Sequence, residues 1–584
     1  YEWGDLGQPS TIVNQHDQRQ NAGYLLGMFR HGTWAFQAGT GASWFSVWAD
    51  DAHPLPKNEW SYLVATFDGD AGAIRLYMNG EPVGEAETPP GARILASGED
   101  FVIGRHNQAA IINGTFHANM FNGLIDELQI SDQVMAADEV QAAYDAVVAA
   151  NGGTLPPADT APDRSRFDGD RYRPQYHMQP AEHWMNEPHA PIYWNGQYHI
   201  FYQHNPQGPY WHQIHWGHMV SDDMVHWQDL PDAIAPQANS VAPDGVWSGS
   251  ATTDASGNPV LFITAGDDSR VPNQSTGMAL PAGVPANPLT DWDLYPDLVT
   301  VQEPNLYTPV GEVWYGQFRD PFVWKEMAAD GNPIWYQLVG SGIRQPGGGP
   351  IGGTALLYSS TDLIHWTYHQ PLYIGDASSY PATGHVWELP VLLPLGQDSH
   401  GNQKHIFLIN PWFEGYSPYN VKYIWYWVGT WDRDNFQFVP DDPEPQLLDY
   451  GEHFTGPSGH VDGQGRTILW TITQDNRTEQ DHYDAGWAHN AGLPVVLSLL
   501  SDNTVGIQPI PELESLRANQ VVSFKNKRLG EANQLLAAAQ GQMTDLLEVV
   551  VELKPQTATQ FGVSLRRSSD GQEETLLFYD MESG

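Results

Sequence analysis

Cysteine is missing from all 584 residues, which excludes disulfides, thiolate metal sites and thiol catalysis together. A reducing cytosol tolerates cysteine, so its absence fits an exported protein without requiring one. No run of about 18 apolar residues occurs, and no segment is expected to span a membrane. Basic residues are scarce: 26 Lys and Arg stand against 70 Asp and Glu, a formal net charge of −44. Such a field repels nucleic acid and anionic membranes, leaving a neutral or cationic partner. Helical periodicity is nearly absent, which argues against a barrel of alternating strands and helices. Phosphate loops, dinucleotide fingerprints and G-x-S-x-G elbows are also missing where their context would be right, so no cofactor is expected to be required. The chain opens at Tyr1 without Met or an apolar signal region, and any targeting peptide is expected to have been removed or never included.

What the sequence does hold is aromatic and β-rich. Twenty-three Trp and 26 Tyr exceed what a core alone needs, and flat rings edged with polar groups suit sugars. A chain of this length implies several domains. Within a first domain of residues 1–150, positions 1 to about 130 alternate apolar and polar residues in short runs, as in WSYLVATFDG (60–69), IRLYMNGEPVG (74–84) and FNGLIDELQI (121–130). The second carries an Asn-Gly hairpin signal, and together they predict an antiparallel β-sandwich. MAADEVQAAYDAVVAANGG (135–153) places Val140, Tyr144 and Val147 on one helical face before an Asn-Gly-Gly stop, predicting a helix. Residues 151–165 read as a linker rich in Pro and Asp.

From 166 to 508 the sequence repeats weakly. SDDMVHW (221–227) and STDLIHW (360–366) share Ser, Asp, two aliphatics and His-Trp, with LTDW (289–292) roughly midway. Copies about 65–75 residues apart among short strands predict a propeller of five blades. From 509 to 584 another all-β pattern begins, with LLEVVVEL (546–553), FGVSLRRS (561–568) and TLLFYD (575–580), and an incomplete β-sandwich is expected.

Three carboxylates lie in aromatic, strand-like surroundings where an unpaired charge is costly: Glu187 in WMNEP, Asp320 in FRDPF and Glu388 in VWELP. They stand 133 and 68 residues apart, two periods and one, so inner strands of different blades could bring them to one end of the central channel. Glycosidic cleavage needs an acid for the leaving oxygen and a carboxylate at the oxocarbenium-like centre. Each residue also has a plain reading. Glu187 suits a solvated loop, Asp320 a structural ion pair with Arg319, and Glu388 an edge strand. Spacing alone does not choose. His212, His215 and His218 do not suggest a metal, because steps of three in a strand alternate faces.

The three segments together resemble family 32 of the glycoside hydrolases: the β-fructofuranosidases, levanases, inulinases and fructan transferases. The family pattern W-M-N-D-P-N-G, R-D-P and E-C is matched in order by WMNEPHA (184–190), RDP (319–321) and WEL (387–389). YQHNP (202–206), HWGH (215–218) and WSGSA (247–251) extend the likeness. It implies a five-bladed propeller followed by a β-sandwich and a retaining hydrolase of β-fructofuranosidic bonds in fructans such as levan or inulin. Fructosyl transfer is a competing enzyme reading, and a silent fructan-binding protein is a different class of reading. By motif position, Glu187 takes the nucleophile's place, Asp320 that of the transition-state stabiliser and Glu388 that of the acid/base. Asn186, Gln203, Trp211, Ser248 and Arg319 match positions lining the fructose pocket, with Trp247 where the family usually has Phe. Arg319 is expected to pair with Asp320 and keep it ionised, while apolar neighbours raise Glu388.

Glu187 departs from the family's Asp, and its extra methylene calls for a local adjustment that His189 and Ala190, in place of Asn-Gly, could supply. Residues 1–150 resemble a laminin-G-like, concanavalin-type jelly roll, which implies a structural calcium ion although no loop has a diagnostic ligand spacing. The expected partner is a fructan or fructo-oligosaccharide, and the expected location is outside a bacterial-type cell.

Overall fold

The structure is a computed structural model that describes every residue except 1–8, 119, 159–162, 213, 284–288 and 583–584. Part of the anticipated linker, residues 159–162, therefore lies outside the described residues. The chain forms two compact units, residues 1–510 and 511–584.

At the start of the first unit, a five-stranded antiparallel sheet built on Ser10–Asn14, Tyr24–Met28, Trp34–Gly39 and Trp44–Trp48 faces a three-stranded sheet of Leu63–Asp68, Ala73–Met78 and Glu81–Glu87. Trp34, Phe36 and Val47 from one sheet meet Ile74, Leu76 and Val83 from the other in a shared core. The Asn-Gly signal is a tight turn with positive φ at both Asn79 (52°) and Gly80 (87°), a geometry that matches strand twist. The helix spans Ala137–Ala150, buries Val140 and stops at Asn151 before two left-handed glycines. FNGLIDELQI (121–130) forms no strand. It finds no ladder partner among the described residues, its apolar positions do not alternate strictly, and Leu124, Leu128 and Ile130 stay exposed.

Five antiparallel sheets follow, one per blade. Their inner strands are His183–Trp194, Gly245–Thr253, Arg319–Met327, Val386–Gln397 and Phe454–Val461, and they pack side by side in chain order around one axis. The ring closes because Trp487–Ala488, from the last blade's segment, pairs in parallel with His183 and Trp184 of the first. The two seven-residue repeats are matching turns between the third and fourth strands of blades 1 and 3. Asp223 accepts from the amides of Val225 and His226, and Asp362 from those of Ile364 and His365. Met224 (φ 61°), Leu289 (68°) and Leu363 (69°) share the left-handed conformation, and all three side chains are buried.

In the second unit, Gln560–Leu565 and Thr575–Asp580 form an antiparallel hairpin. LLEVVVEL (546–553) is not a strand, since no described segment of this unit pairs with it. A helix at Leu529–Ala539 was not anticipated; its Leu- and Ala-rich run has high helix propensity. Among the described residues, no helix is long and apolar enough to cross a membrane.

Candidate active site

Each inner strand carries a β-bulge at the same level. Register slips between Met185 and Pro188, Trp247 and Gly249, Arg319 and Phe322, Glu388 and Val391, and Thr455 and Ser458. A bulge inserts an unpaired residue and re-aims its side chain, and here five of them turn toward one axis. Pro188, Pro321, Pro390 and Pro457 sit at these bulges, where a free strand edge makes the missing N–H harmless. The result is a cavity of about 180 Å³. All nine residues singled out by sequence line it: Asn186, Glu187, Gln203, Trp211, Trp247, Ser248, Arg319, Asp320 and Glu388. One step further along every inner strand the axis narrows to a gap of about 20 Å³.

Glu187 is 3% exposed. Its Oε1 accepts hydrogen bonds from Ser248 Oγ and from Gln203 Nε2, the latter at 3.2 Å. Blade 5 comes close to this side chain: Gly456, at φ +62°, approaches so that a Cβ there would fall 2.6 Å from Cβ of Glu187 and 3.4 Å from its Cγ. The missing side chain at 456 leaves room for the first carbons of residue 187, which Asp and Glu share. His189 lies with its Nδ1 3.7 Å from Glu187 Oε1, too long for a hydrogen bond, and its ring packs 4.1 Å from that of Trp216. Burial lowers the pKa of His189, so the imidazole is neutral there. Ala190 adopts a left-handed conformation (φ 49°) that Gly takes at less cost.

Asp320 also has a positive φ, 59°, a strained value for a non-glycine residue that tends to occur at functional sites. Two bonds hold it there. Its amide donates to Thr264 Oγ1 (2.7 Å), whose own proton goes to the Ser248 carbonyl (2.8 Å), and its Oδ2 accepts from the Leu389 amide (3.0 Å). Glu388 follows Trp387, a fully buried residue whose indole donates to the Thr383 carbonyl (3.0 Å). Gly353 and Gly375 leave the space that ring occupies, since a Cβ at either would come within 2.2 or 2.6 Å of it. Packing of Trp387 thus fixes where Glu388 emerges.

Arg319 does not keep Asp320 ionised as expected, because burial outweighs its pull. Arg319 Nε donates to Glu388 Oε1 at 3.0 Å, across to the next blade. Burial, reinforced by the Glu388 charge, pushes the Asp320 carboxyl up to about 8 against the pull of Arg319 and the Leu389 amide. Burial likewise raises Glu388, with Glu187 adding to the rise and Arg319 opposing it. Three carboxylates around one guanidinium cannot all ionise cheaply, so the pocket holds a proton at neutral pH.

Gln274, Asn410, Thr455, Gly456 and Gln474 also line the cavity and were missed by motif. Asn410 Oδ1 accepts from Thr455 Oγ1 (2.7 Å) and from the Gly456 amide (3.2 Å), tying blade 4 to blade 5. One signal was available: Gly456 lies 68 residues after Glu388, the same step as from Asp320 to Glu388. Among the described residues, no group of three or more His, Asp or Glu side chains is placed to hold a metal ion.

Residues 177–509 match the glycosyl hydrolases family 32 N-terminal domain, and residues 512–584 the family 32 C-terminal domain. Residues 3–141 match the concanavalin A-like lectin/glucanases superfamily. Among curated proteins, "Beta-fructofuranosidase, insoluble isoenzyme 2" of Oryza sativa subsp. indica is 34% identical over 375 residues, 61% of this chain and 58% of that protein. The "Fructan 1-exohydrolase" of Triticum urartu is 32% identical over 372 residues, 60% and 56% of the two chains. The chain thus spans less than two thirds of the length of these relatives. In fold it is similar to the exo-inulinase of Aspergillus awamori, with a TM-score of 0.52 at 23% identity over 70% of this chain and 81% of that one.

Proposed function

The chain belongs to family 32 of the glycosyl hydrolases, and from that premise we propose that it cleaves β-fructofuranosidic bonds with retention, through a fructosyl-enzyme intermediate on Glu187. The observation that carries this reading is the gathering of Glu187, Asp320 and Glu388, from three different blades, around Arg319 in one pocket. Glu388 carries the proton that goes to the leaving oxygen, as its raised pKa suits. Glu187 attacks the anomeric carbon from its hydrogen-bonded seat on Ser248 and Gln203. Once Glu187 is esterified its charge is gone, one cause of the rise at Glu388 disappears, and Glu388 becomes the base that activates water. Asp320, fixed by the Leu389 amide, holds the sugar hydroxyls as the oxocarbenium character develops. The chemistry runs on carboxylates and needs no cofactor.

The substrate we favour is a fructan, levan or inulin, attacked outside the cell. A module matching a lectin-like superfamily supports a polymer, since tethering raises local concentration only for multivalent targets. Absent cysteine suits export. The test is product analysis on sucrose, inulin and levan. Free fructose should appear from at least one and vanish in Glu187→Gln. Oligomers without fructose point to transfer, and no turnover on any of the three overturns the reading.

A further inference from the structure

The N-terminal module touches the propeller at a place its likeness to a lectin does not explain. Its short hairpin, Ile111–Ile112 paired with Phe116–His117, packs into the loop that carries Trp211. Tyr210, the residue before Trp211, is 5% exposed, and the apolar cluster around it is supplied by Ile112, Phe116 and Ala118 of the module. The Phe116 and Tyr210 rings stack at 4.8 Å and 28°, and Tyr210 donates from its hydroxyl to the His117 carbonyl at 3.4 Å. From the propeller side, Asn205 Nδ2 donates to the Tyr210 carbonyl at 2.7 Å. The loop is gripped from both sides.

The same hairpin reaches a second pocket-bearing segment. Asn113 Nδ2 donates to Glu479 Oε1 at 2.9 Å, and the Phe116 and His117 rings stand 6.2 and 6.3 Å from that of Tyr483. Those partners lie on the helix Glu479–Ala485, which begins five residues after Gln474 and ends just before the Trp487–Ala488 stretch that closes the ring. Trp211 and Gln474 both line the cavity, from blades 1 and 5. A rigid aromatic wedge between these segments restricts their motion relative to each other, and loops held only by the propeller would open more easily.

We propose that the hairpin at residues 111–117 is a positioning element of the catalytic pocket, holding the Trp211 loop and the segment after Gln474 in their binding geometry. This rests on the fructosidase reading for its kinetic consequence, but not for its structural one. Phe116 and Tyr210 act here through Trp211 and are positioning residues. The module is then part of the site for fructosides of any size, in addition to any tethering of polymers. A pure tether alters turnover of polymers and leaves small substrates alone, which separates the two roles.

The test uses Phe116→Ala and the conservative Phe116→Leu in the full chain. Hydrogen exchange of residues 206–212 is followed alongside kcat and KM for sucrose and for levan. Phe116→Ala should speed exchange in that segment by roughly tenfold or more and lower kcat/KM for sucrose by about tenfold, mainly through KM, with Phe116→Leu restoring most of both. Unchanged exchange overturns the proposal, as does faster exchange with unaltered sucrose kinetics. Should the parent protein cleave no fructoside, the fructosidase reading falls by itself, and the exchange data still decide whether the hairpin holds the loop.

Discussion

The outer turns of the propeller and its inner bulges are both repeated structures, yet they repeat in opposite ways. SDDMVHW and STDLIHW repeat residues: Asp223 and Asp362 accept the same two amides, and Met224 and Leu363 take the same left-handed turn. The inner strands repeat geometry, one bulge per blade, but place Glu187, Ser248, Asp320, Glu388 and Gly456 at that level. Recurring residues mark what each blade needs in order to fold. Where the shape recurs and the residues differ, each blade contributes a separate part of the pocket.

If that contrast holds, substitutions at the bulges should remove activity and spare the fold, while those at the turns should do the reverse. The largest loss is expected for Glu187→Gln or Glu388→Gln, with kcat down by at least about a thousandfold on a cleavable fructoside and the melting temperature near that of the parent. Next comes Gly456→Ala, whose new methyl would collide with Cβ of Glu187. Displacement of the nucleophile on the order of 1 Å should cost about a hundredfold in kcat/KM. Arg319→Gln removes the charge that holds down both Asp320 and Glu388, so the alkaline limb of the pH profile should move upward by about one unit.

Asp320→Asn should abolish most turnover but stabilise the fold. In the native state this carboxyl is raised to about 8 from an ordinary 3.8, so between those values the folded protein holds a proton that the unfolded chain has lost. Wild-type stability therefore falls as pH rises through that window. The melting-temperature advantage of the Asn variant should be small near pH 4 and grow to a few degrees by pH 8. The smallest effect on activity is expected at a turn. Asp223→Ala should cost about 1–2 kcal/mol in chemical denaturation, partly exposed as its bonds are, and leave kcat/KM unchanged.

The same contrast explains what could be read from the sequence. Turns announce themselves locally, so the Asn79-Gly80 hairpin, the Asn-Gly-Gly helix stop and the blade repeat were all legible. The motif-bearing site residues were legible too, and their nine side chains meet in one cavity. Partner choice was not. FNGLIDELQI and LLEVVVEL are rich in strand-forming aliphatics but have no ladder among the described residues, because a strand exists only with a neighbour and composition does not name one. Adjacency in sequence suggested that Arg319 keeps Asp320 ionised, but burial outweighs that pull, and the Arg319–Glu388 bond to another blade could not be read from sequence. Gly456 carries no side chain to form a motif, and its role becomes visible only when Glu187 is found against it.

The central claim is that Glu187 is the nucleophile despite its extra methylene. It is tested most directly by trapping the intermediate: a Glu388→Ala variant given a fructoside with a good leaving group, then quenched, digested and weighed by mass spectrometry. The account predicts one fructosyl residue covalently attached to the peptide containing Glu187. A label on any other peptide, or turnover with no covalent adduct and inverted product, would contradict it.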